Sequence, residues 1–164
     1  METAIIALGS NLGDRLSHLR FALAALQSIS EGPVQASSVW ESEPIGPSEH
    51  LFYNAAVSIQ TNLSPQQLFE ACKTIEKDAG REPGRIRWAA RVLDLDIIQY
   101  GDLVIHTESL IIPHREYQNR LFVLLPVQEI SPGFKDPVTE TPIGNLIRKC
   151  PEMKIRNVSP LAEI

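Results

Sequence analysis

VLDLDIIQY, residues Val92 to Tyr100, sets carboxylates between large aliphatic side chains. Side chains along a strand point to opposite faces in turn, so Asp94 and Asp96 share one face while Leu93, Leu95 and Ile97 share the other. A strand with one apolar face calls for a sheet covered by helices, and the flanking sequence supplies both. TAIIAL (Thr3–Leu8) reads as a first buried strand and GSNLGD as a turn. A helix is expected from Asp14 to Ser28 on the spacing of Leu16, Leu19, Leu23 and Leu26. PVQASSVWES (Pro33–Ser42) reads as a strand, EPIGPSEH (Glu43–His50) as a loop and NAAVSIQT (Asn54–Thr61) as a further strand. Ser64, Pro65 and Gln67 provide an N-cap, a proline at the first helical position and a capping box. The helix they start turns Leu68, Cys72 and Ile75 inward and stops near Gly80.

After the aspartate strand, Leu103–His106 is expected as a neighbouring strand, followed by a helix through QNRLFVLLPVQEI that Pro126 shortens or bends. Six prolines from Pro126 to Pro160 make the tail loop-rich, with at most one short helix near Ile143–Lys149. The order β-α-β-β-α-β predicts an α+β fold with a ferredoxin-like core, a largely antiparallel sheet covered by helices, and extra C-terminal elements. A length of 164 residues, with no dividing linker or repeat, predicts a single domain over 1–164.

Composition narrows the function. Hydrophobic residues make up 43% and charged residues 21%, the balance of a globular chain rather than a disordered one. No apolar run approaches a membrane span, and the N-terminus shows no basic leader with a long apolar segment. Cys72 and Cys150 stand far apart with no metal-binding spacing, as free thiols would in a reducing cytoplasm, the expected compartment. A net charge of −5 argues against general nucleic-acid binding. Yet REPGRIRWAAR (Arg81–Arg91) places four arginines against one glutamate, which suits an anion as well as it suits a solvated loop.

Two carboxylates at adjacent same-face positions repel unless a cation lies between them. Magnesium, which takes carboxylate oxygens and fills its other positions with water and phosphate, is one solution; a wet strand face is the bland alternative. Arginines a few residues upstream favour phosphates bridging metal and guanidinium, and so a nucleotide. No GxxxxGK[ST] loop is present; GSNLGD, between strand and helix, could present backbone N–H groups to an anion. A non-catalytic nucleotide-binding module would use the same charges, but not the aromatic-amide segment FYN at Phe52–Asn54, which suits a flat polar heterocycle. An RNA-binding ferredoxin-like domain would need a basic face.

GSNLGDR, FYNAAV, RVLDLDII and PHREYQNRLFVLLPV occur in this order over about Ile5 to Val127, and together they resemble the 6-hydroxymethyl-7,8-dihydropterin pyrophosphokinase family. The resemblance implies transfer of a pyrophosphoryl group from ATP to a reduced hydroxymethylpterin, with release of AMP; the chain is expected to act as a monomer with no nucleic-acid or membrane partner. It implies that Asp94 and Asp96 hold two Mg²⁺ ions, with Arg81 and Arg91 acting beside them in catalysis. It places the pterin between Phe52 and Phe122, against Asn54 and the Ser42–Ile45 segment that includes Pro44. It places ATP among Glu76, Arg81, Trp88, Arg91, His114 and Arg120. The chain departs from the family pattern at Trp88-Ala89-Ala90-Arg91, where many members carry Trp-Gly-Pro-Arg, and at Pro83-Gly84, and both departures bear on loop closure.

Overall fold

The computed structural model describes residues 1–44, 50–80 and 92–161. In chain order these form β1 (Glu2–Ser10), α1 (Arg15–Ile29), β2 (Gln35–Ala36), β3 (Ser38–Ser42), β4 (Phe52–Thr61), α2 (Pro65–Asp78), β5 (Asp94–Tyr100), β6 (Ile105–His106), β7 (Ile111–Ile112), a single 3-10 turn (Tyr117–Asn119), α3 (Leu121–Ile130), α4 (Ile143–Lys149) and β8 (Ile155–Pro160). The main sheet runs β5-β1-β4-β3-β8, with β2 also on β4, and every pairing in it is antiparallel. This is the expected ferredoxin-like core, in which the strand after each helix returns beside a non-sequential neighbour.

β1 is an interior strand, paired with β4 on one side and β5 on the other, which explains its nearly unbroken apolar run. Ala4, Ile6 and Leu8 face α1 and α2, packing with Leu19, Leu23, Leu26, Leu68, Cys72 and Ile75. Ile5 and Ala7 face the opposite layer, where Ala56 and Ile98 meet Val123, Leu124, Val127, Phe134 and Leu146 from α3, α4 and the tail. The helix starts follow the local chemistry. Asp14 caps α1 by accepting from the Ser17 N–H, and Ser64 and Gln67 form the reciprocal capping box of α2 at 3.1 and 2.9 Å. Cys72 and Cys150 are both free and buried, and burial pushes the Cys72 thiol up to about 12.

Four features differ from the sequence expectations. The strand expected over Pro33–Ser42 is broken at Ser37, where β2 and β3 take different registers on β4. The buried Ser37 hydroxyl accepts from the Ala56 N–H at 2.8 Å and satisfies the backbone at the break. Leu103–His106 does not extend the main sheet: only Ile105–His106 is extended, and it pairs with β7 in a separate two-stranded sheet. Pro126 lies buried inside α3 without ending it; the shortening falls at the start, where the chain makes a 3-10 turn before Leu121. Fourth, the outermost strand β8 arises from the proline-rich tail, pairs with β3 and closes that side of the sheet.

β5 carries a bulge. Ile6 lies opposite Ile97 and Ile5 opposite Gln99, so Ile98 is an extra residue. Leu95, Ile97 and Tyr100 therefore all face α1 and α2, while Ile98 joins the opposite layer.

The tail is fastened by Asp136, which is 3% exposed. It accepts from the Tyr117 hydroxyl, the Gln118 amide at 3.0 Å, and the Val138 and Thr139 N–H groups at 3.0 and 2.8 Å. Burial pushes its pKa up, but these donors outweigh that and hold it below the usual carboxylate value. Its contribution is thus present above about pH 4 and lost as the pH falls through the lowered folded-state value. Asp136→Ala should destabilise the fold by about 2 kcal/mol or more, measured by urea unfolding, because it strands several buried donors at once.

Candidate active site

On the face of the sheet that α3 and α4 only partly cover, the strand registers align side chains into rows. Trp40 lies opposite Asn54, Asn54 opposite Gly9, and Gly9 opposite Asp94. The next row is Ala56, Ala7 and Asp96. Asn54 and Asp94 are thus separated by two strand spacings, roughly 10 Å, and the residues between them are the smallest available. A side-chain carbon on Gly9 would stand 3.7 Å from both Asn54 Oδ1 and the Phe52 ring, so the glycine keeps a shallow floor open between amide and carboxylates.

Asn54 is 2% exposed and its orientation is fixed. Its Nδ2 donates to the Trp40 carbonyl at 2.9 Å and to the Ser42 hydroxyl at 2.8 Å. A carbonyl only accepts, so Nδ2 must face Trp40, which turns Oδ1 toward the Gly9 side as an acceptor. The buried Ser42 thereby acts through Asn54. Phe52 is half-buried and joins neither apolar layer, unlike an ordinary core aromatic at a strand start. Phe122, also half-buried, stands at the start of α3 with the Arg120 guanidinium 5.8 Å from its ring centre. Pro44 follows β3 as irregular chain. Ile45, Arg81, Trp88 and Arg91, with the Pro83-Gly84 and Ala89-Ala90 departures, lie outside the described residues.

Asp94 and Asp96 are half-buried on this same face of β5. Among the described residues no group of three or more His, Cys, Asp or Glu could hold a metal. Two carboxylates on an edge strand do not make a resident cage, but they suit magnesium that arrives with phosphates and keeps its waters. Behind them, the Glu76 carboxylate is buried in the last turn of α2, accepting from the Leu95 N–H at 2.7 Å and from Lys73 Nζ at 3.3 Å.

Round the outer edge of β5 a cleft of about 250 Å³ is lined by Phe69, Ile97, Leu110 and Ile111, with Asp96 and His114 in its wall. His114 Nδ1 accepts from the Glu116 N–H at 3.2 Å, which leaves Nε2 carrying the proton in the neutral ring. Burial lowers its pKa, Asp96 and Glu116 pull it up, and Arg120 pushes it down; the net is a histidine kept neutral. It is a directed donor rather than a charge.

The sequence reading missed two parts of this site. Gly9 belongs to a strand, not to the turn, and its signal was the small-residue spacing Ala7-Gly9. Phe69, Leu110 and Ile111 have no polar signature and come together only through packing around β5. At the end of the GSNLGD turn, which could present N–H groups to an anion or a small polar ligand, Asp14 caps α1 by accepting from the Ser17 N–H.

A family model described as 7,8-dihydro-6-hydroxymethylpterin-pyrophosphokinase matches residues 5–132. A Haemophilus influenzae protein named 2-amino-4-hydroxy-6-hydroxymethyldihydropteridine pyrophosphokinase is 40% identical over 162 residues, covering 98% of this chain and 100% of that protein. One of the same name from Bacillus subtilis is 44% identical over 129 residues, covering 77% of each. Among solved structures, a Plasmodium falciparum HPPK-DHPS crystal structure with SDX-DHP superimposes with a TM-score of 0.70 at 16% identity, over 90% of this chain. This chain spans 44% of that one, and at such identity the likeness carries the fold alone.

The depressed His114 pKa gives a stability prediction. The ring stays neutral in the fold while the unfolded chain binds protons below about pH 6.5, so stability is full above that value and falls as acid is added. In His114→Asn the loss of melting temperature between about pH 7.5 and 5.5 should shrink. Identical slopes in thermal unfolding of variant and parent would contradict the assignment.

Proposed function

The chain belongs to the 7,8-dihydro-6-hydroxymethylpterin-pyrophosphokinase family, and from that premise we propose how its own residues divide the work. The enzyme transfers pyrophosphate from ATP to the hydroxymethyl group of 6-hydroxymethyl-7,8-dihydropterin in folate biosynthesis, releasing AMP. The observation that carries the residue assignment is the cross-strand row Asn54–Gly9–Asp94. It sets an amide acceptor and a carboxylate at the two ends of a flat floor, at about the reach of a bicyclic ring bearing a hydroxymethyl arm.

In this reading the pterin lies on the Gly9 floor with Phe52 and Phe122 against its faces. Asn54 Oδ1 accepts from the N–H-bearing edge of its pyrimidine ring, and Ser42 holds that amide in place. Pro44 and Ile45 are assigned to pterin binding through backbone contacts. The hydroxymethyl oxygen then points along the row toward Asp94. The nucleotide base occupies the cleft between Phe69, Ile97, Leu110 and Ile111, so the triphosphate runs past His114 and Asp96. His114 donates through Nε2, Arg120 adds positive charge at the start of α3, and Arg81, Trp88 and Arg91 complete the nucleotide's surroundings. Asp94 and Asp96 would hold two magnesium ions, which when bound neutralise the bridging and leaving oxygens of the triphosphate. The pterin hydroxyl attacks the β-phosphorus in line, the bond to the AMP oxygen breaks, and the protein's contribution is positioning and electrostatics. Glu76 lies behind the aspartates, in the surroundings of the nucleotide. We read the chain as one domain working as a monomer in the cytoplasm, without nucleic-acid partners; no described helix is long and apolar enough to cross a membrane.

Incubation with ATP, Mg²⁺ and the reduced hydroxymethylpterin should yield AMP; ADP would refute pyrophosphoryl transfer. Asp94→Ala and Asp96→Ala should each lower kcat by about 100-fold or more with little change in melting temperature; near-normal turnover in both would refute the metal assignment. Gly9→Ala, whose added carbon meets only ordinary contacts, should fold normally yet weaken pterin binding by about tenfold in calorimetry with a non-hydrolysable ATP analogue.

A further inference from the structure

We propose that Glu76 is a positioning residue for the aspartate pair: it grips the peptide between Asp94 and Leu95 from the open rim of the sheet. The proposal rests on the assignment of Asp94 and Asp96 as the metal-binding carboxylates.

β5 is an edge strand, paired with β1 on one side only. Among the described residues no strand receives the N–H groups on its other side, and such a rim is free to twist and fray. At the Leu95 amide the missing neighbour is replaced by a carboxylate. Glu76 Oε2 accepts that N–H at 2.7 Å, a distance typical of a charge-assisted bond. The group is only 1% exposed, although a carboxylate is costly to bury without strong partners. Its second oxygen takes Lys73 Nζ at 3.3 Å, from a side chain that reaches solvent.

The position of the bond is what gives it a functional reading. The Leu95 N–H belongs to the peptide plane whose carbonyl comes from Asp94. Fixing that plane fixes the backbone angles on either side of it, and so the directions in which Asp94 and Asp96 leave the strand. Leu95 itself points the other way, into the apolar layer beneath α2. The strand is thereby held from below by packing and from its rim by Glu76. Ligating carboxylates gain affinity from partners that orient them, and loss of such a partner typically costs about 10- to 100-fold in metal affinity.

The test compares Glu76→Gln, which keeps a carbonyl acceptor in nearly the same shape, with Glu76→Leu, which keeps the bulk and loses the acceptor. Two readouts are independent of turnover: hydrogen exchange of the Leu95 amide in metal-free protein, and Mn²⁺ affinity by electron paramagnetic resonance with a non-hydrolysable ATP analogue present. In the parent protein the Leu95 amide should exchange slowly despite its place on the rim. In Glu76→Leu it should exchange at least about tenfold faster, and Mn²⁺ affinity should fall by about 10- to 100-fold. Under saturating pterin kcat should fall with it, while pterin affinity stays within about twofold. Glu76→Gln should restore Leu95 protection and bring Mn²⁺ affinity back to within about threefold of the parent.

An unprotected Leu95 amide in the parent, or parental Mn²⁺ affinity in Glu76→Leu, would overturn the proposal. So would a Glu76→Gln variant that protects Leu95 yet binds Mn²⁺ as poorly as Glu76→Leu, since the charge itself would then be acting on the ions. If Glu76→Leu does not fold, Glu76→Met, which also lacks the acceptor, is measured in its place against the same outcomes. Asp96→Ala separates the layers of the argument. Its loss of Mn²⁺ affinity with unchanged Leu95 exchange is the expected control, whereas parental Mn²⁺ affinity there would overturn the metal assignment itself.

Discussion

Backbone hydrogen bonding of β1 to β4 on one side and β5 on the other brings Asn54, Gly9 and Asp94, from three distant parts of the chain, into one line. The amide, the floor and the carboxylates of the site are all set by that register. Because side chains alternate with a period of two, a slip of one residue would send the amide or the carboxylates through the sheet into the opposite layer. The apolar burial on both faces of β1 is therefore more than stability. Ala4, Ile6 and Leu8 below, with Ile5 and Ala7 above, make any other register expensive, and so fix where the polar groups emerge.

The two rims of the sheet are used in different ways. On one side β8 covers β3, and Arg156 reaches Glu41 at 3.0 Å while the Lys154 N–H reaches Glu43 Oε1 at 3.1 Å. That rim is closed by more protein. On the other side β5 pairs with no further strand among the described residues, so its half-buried carboxylates are not enclosed between neighbours as those of an interior strand would be. Openness conflicts with rigidity, and in the proposed arrangement the buried Glu76, which accepts the Leu95 N–H, answers that conflict.

The sequence made the helices legible through their caps and leucine spacing, and the aspartate strand through its alternation. Ser64-Pro65-Gln67 and Asp94-x-Asp96 are local signals, and local signals survive without the fold. β8 was hidden because six prolines outweigh a short stretch whose stability comes from β3 rather than from its own residues. Leu103–His106 misled for the converse reason: Ile105 and His106 do pair, but with β7 rather than the main sheet. At the site, Asn54 and the aspartates were readable by type. The orientation of Asn54, set by the Trp40 carbonyl and Ser42, depends on a strand pairing that no spacing along the chain encodes. Glu76 illustrates the same limit. The family pattern puts it near the nucleotide, but only the packing of α2 against β5 shows that its carboxylate is turned onto a backbone amide.

The extra residue in β5 has a consequence for how this segment can change over time. Counting back from Tyr100, whose hydroxyl is anchored on the Leu63 carbonyl, an unbulged strand would put Asp96 and Asp94 on the side of α1 and α2 and expose Leu95 in their place. The single inserted position reverses that parity, so both the aromatic anchor and the acids point where they are needed. Residue identities near Ile98 and Gln99 can drift as long as they suit their surroundings. The number of residues between Asp96 and Tyr100 cannot, because losing one would turn a water-facing pair of acids into buried ones in a single genetic event.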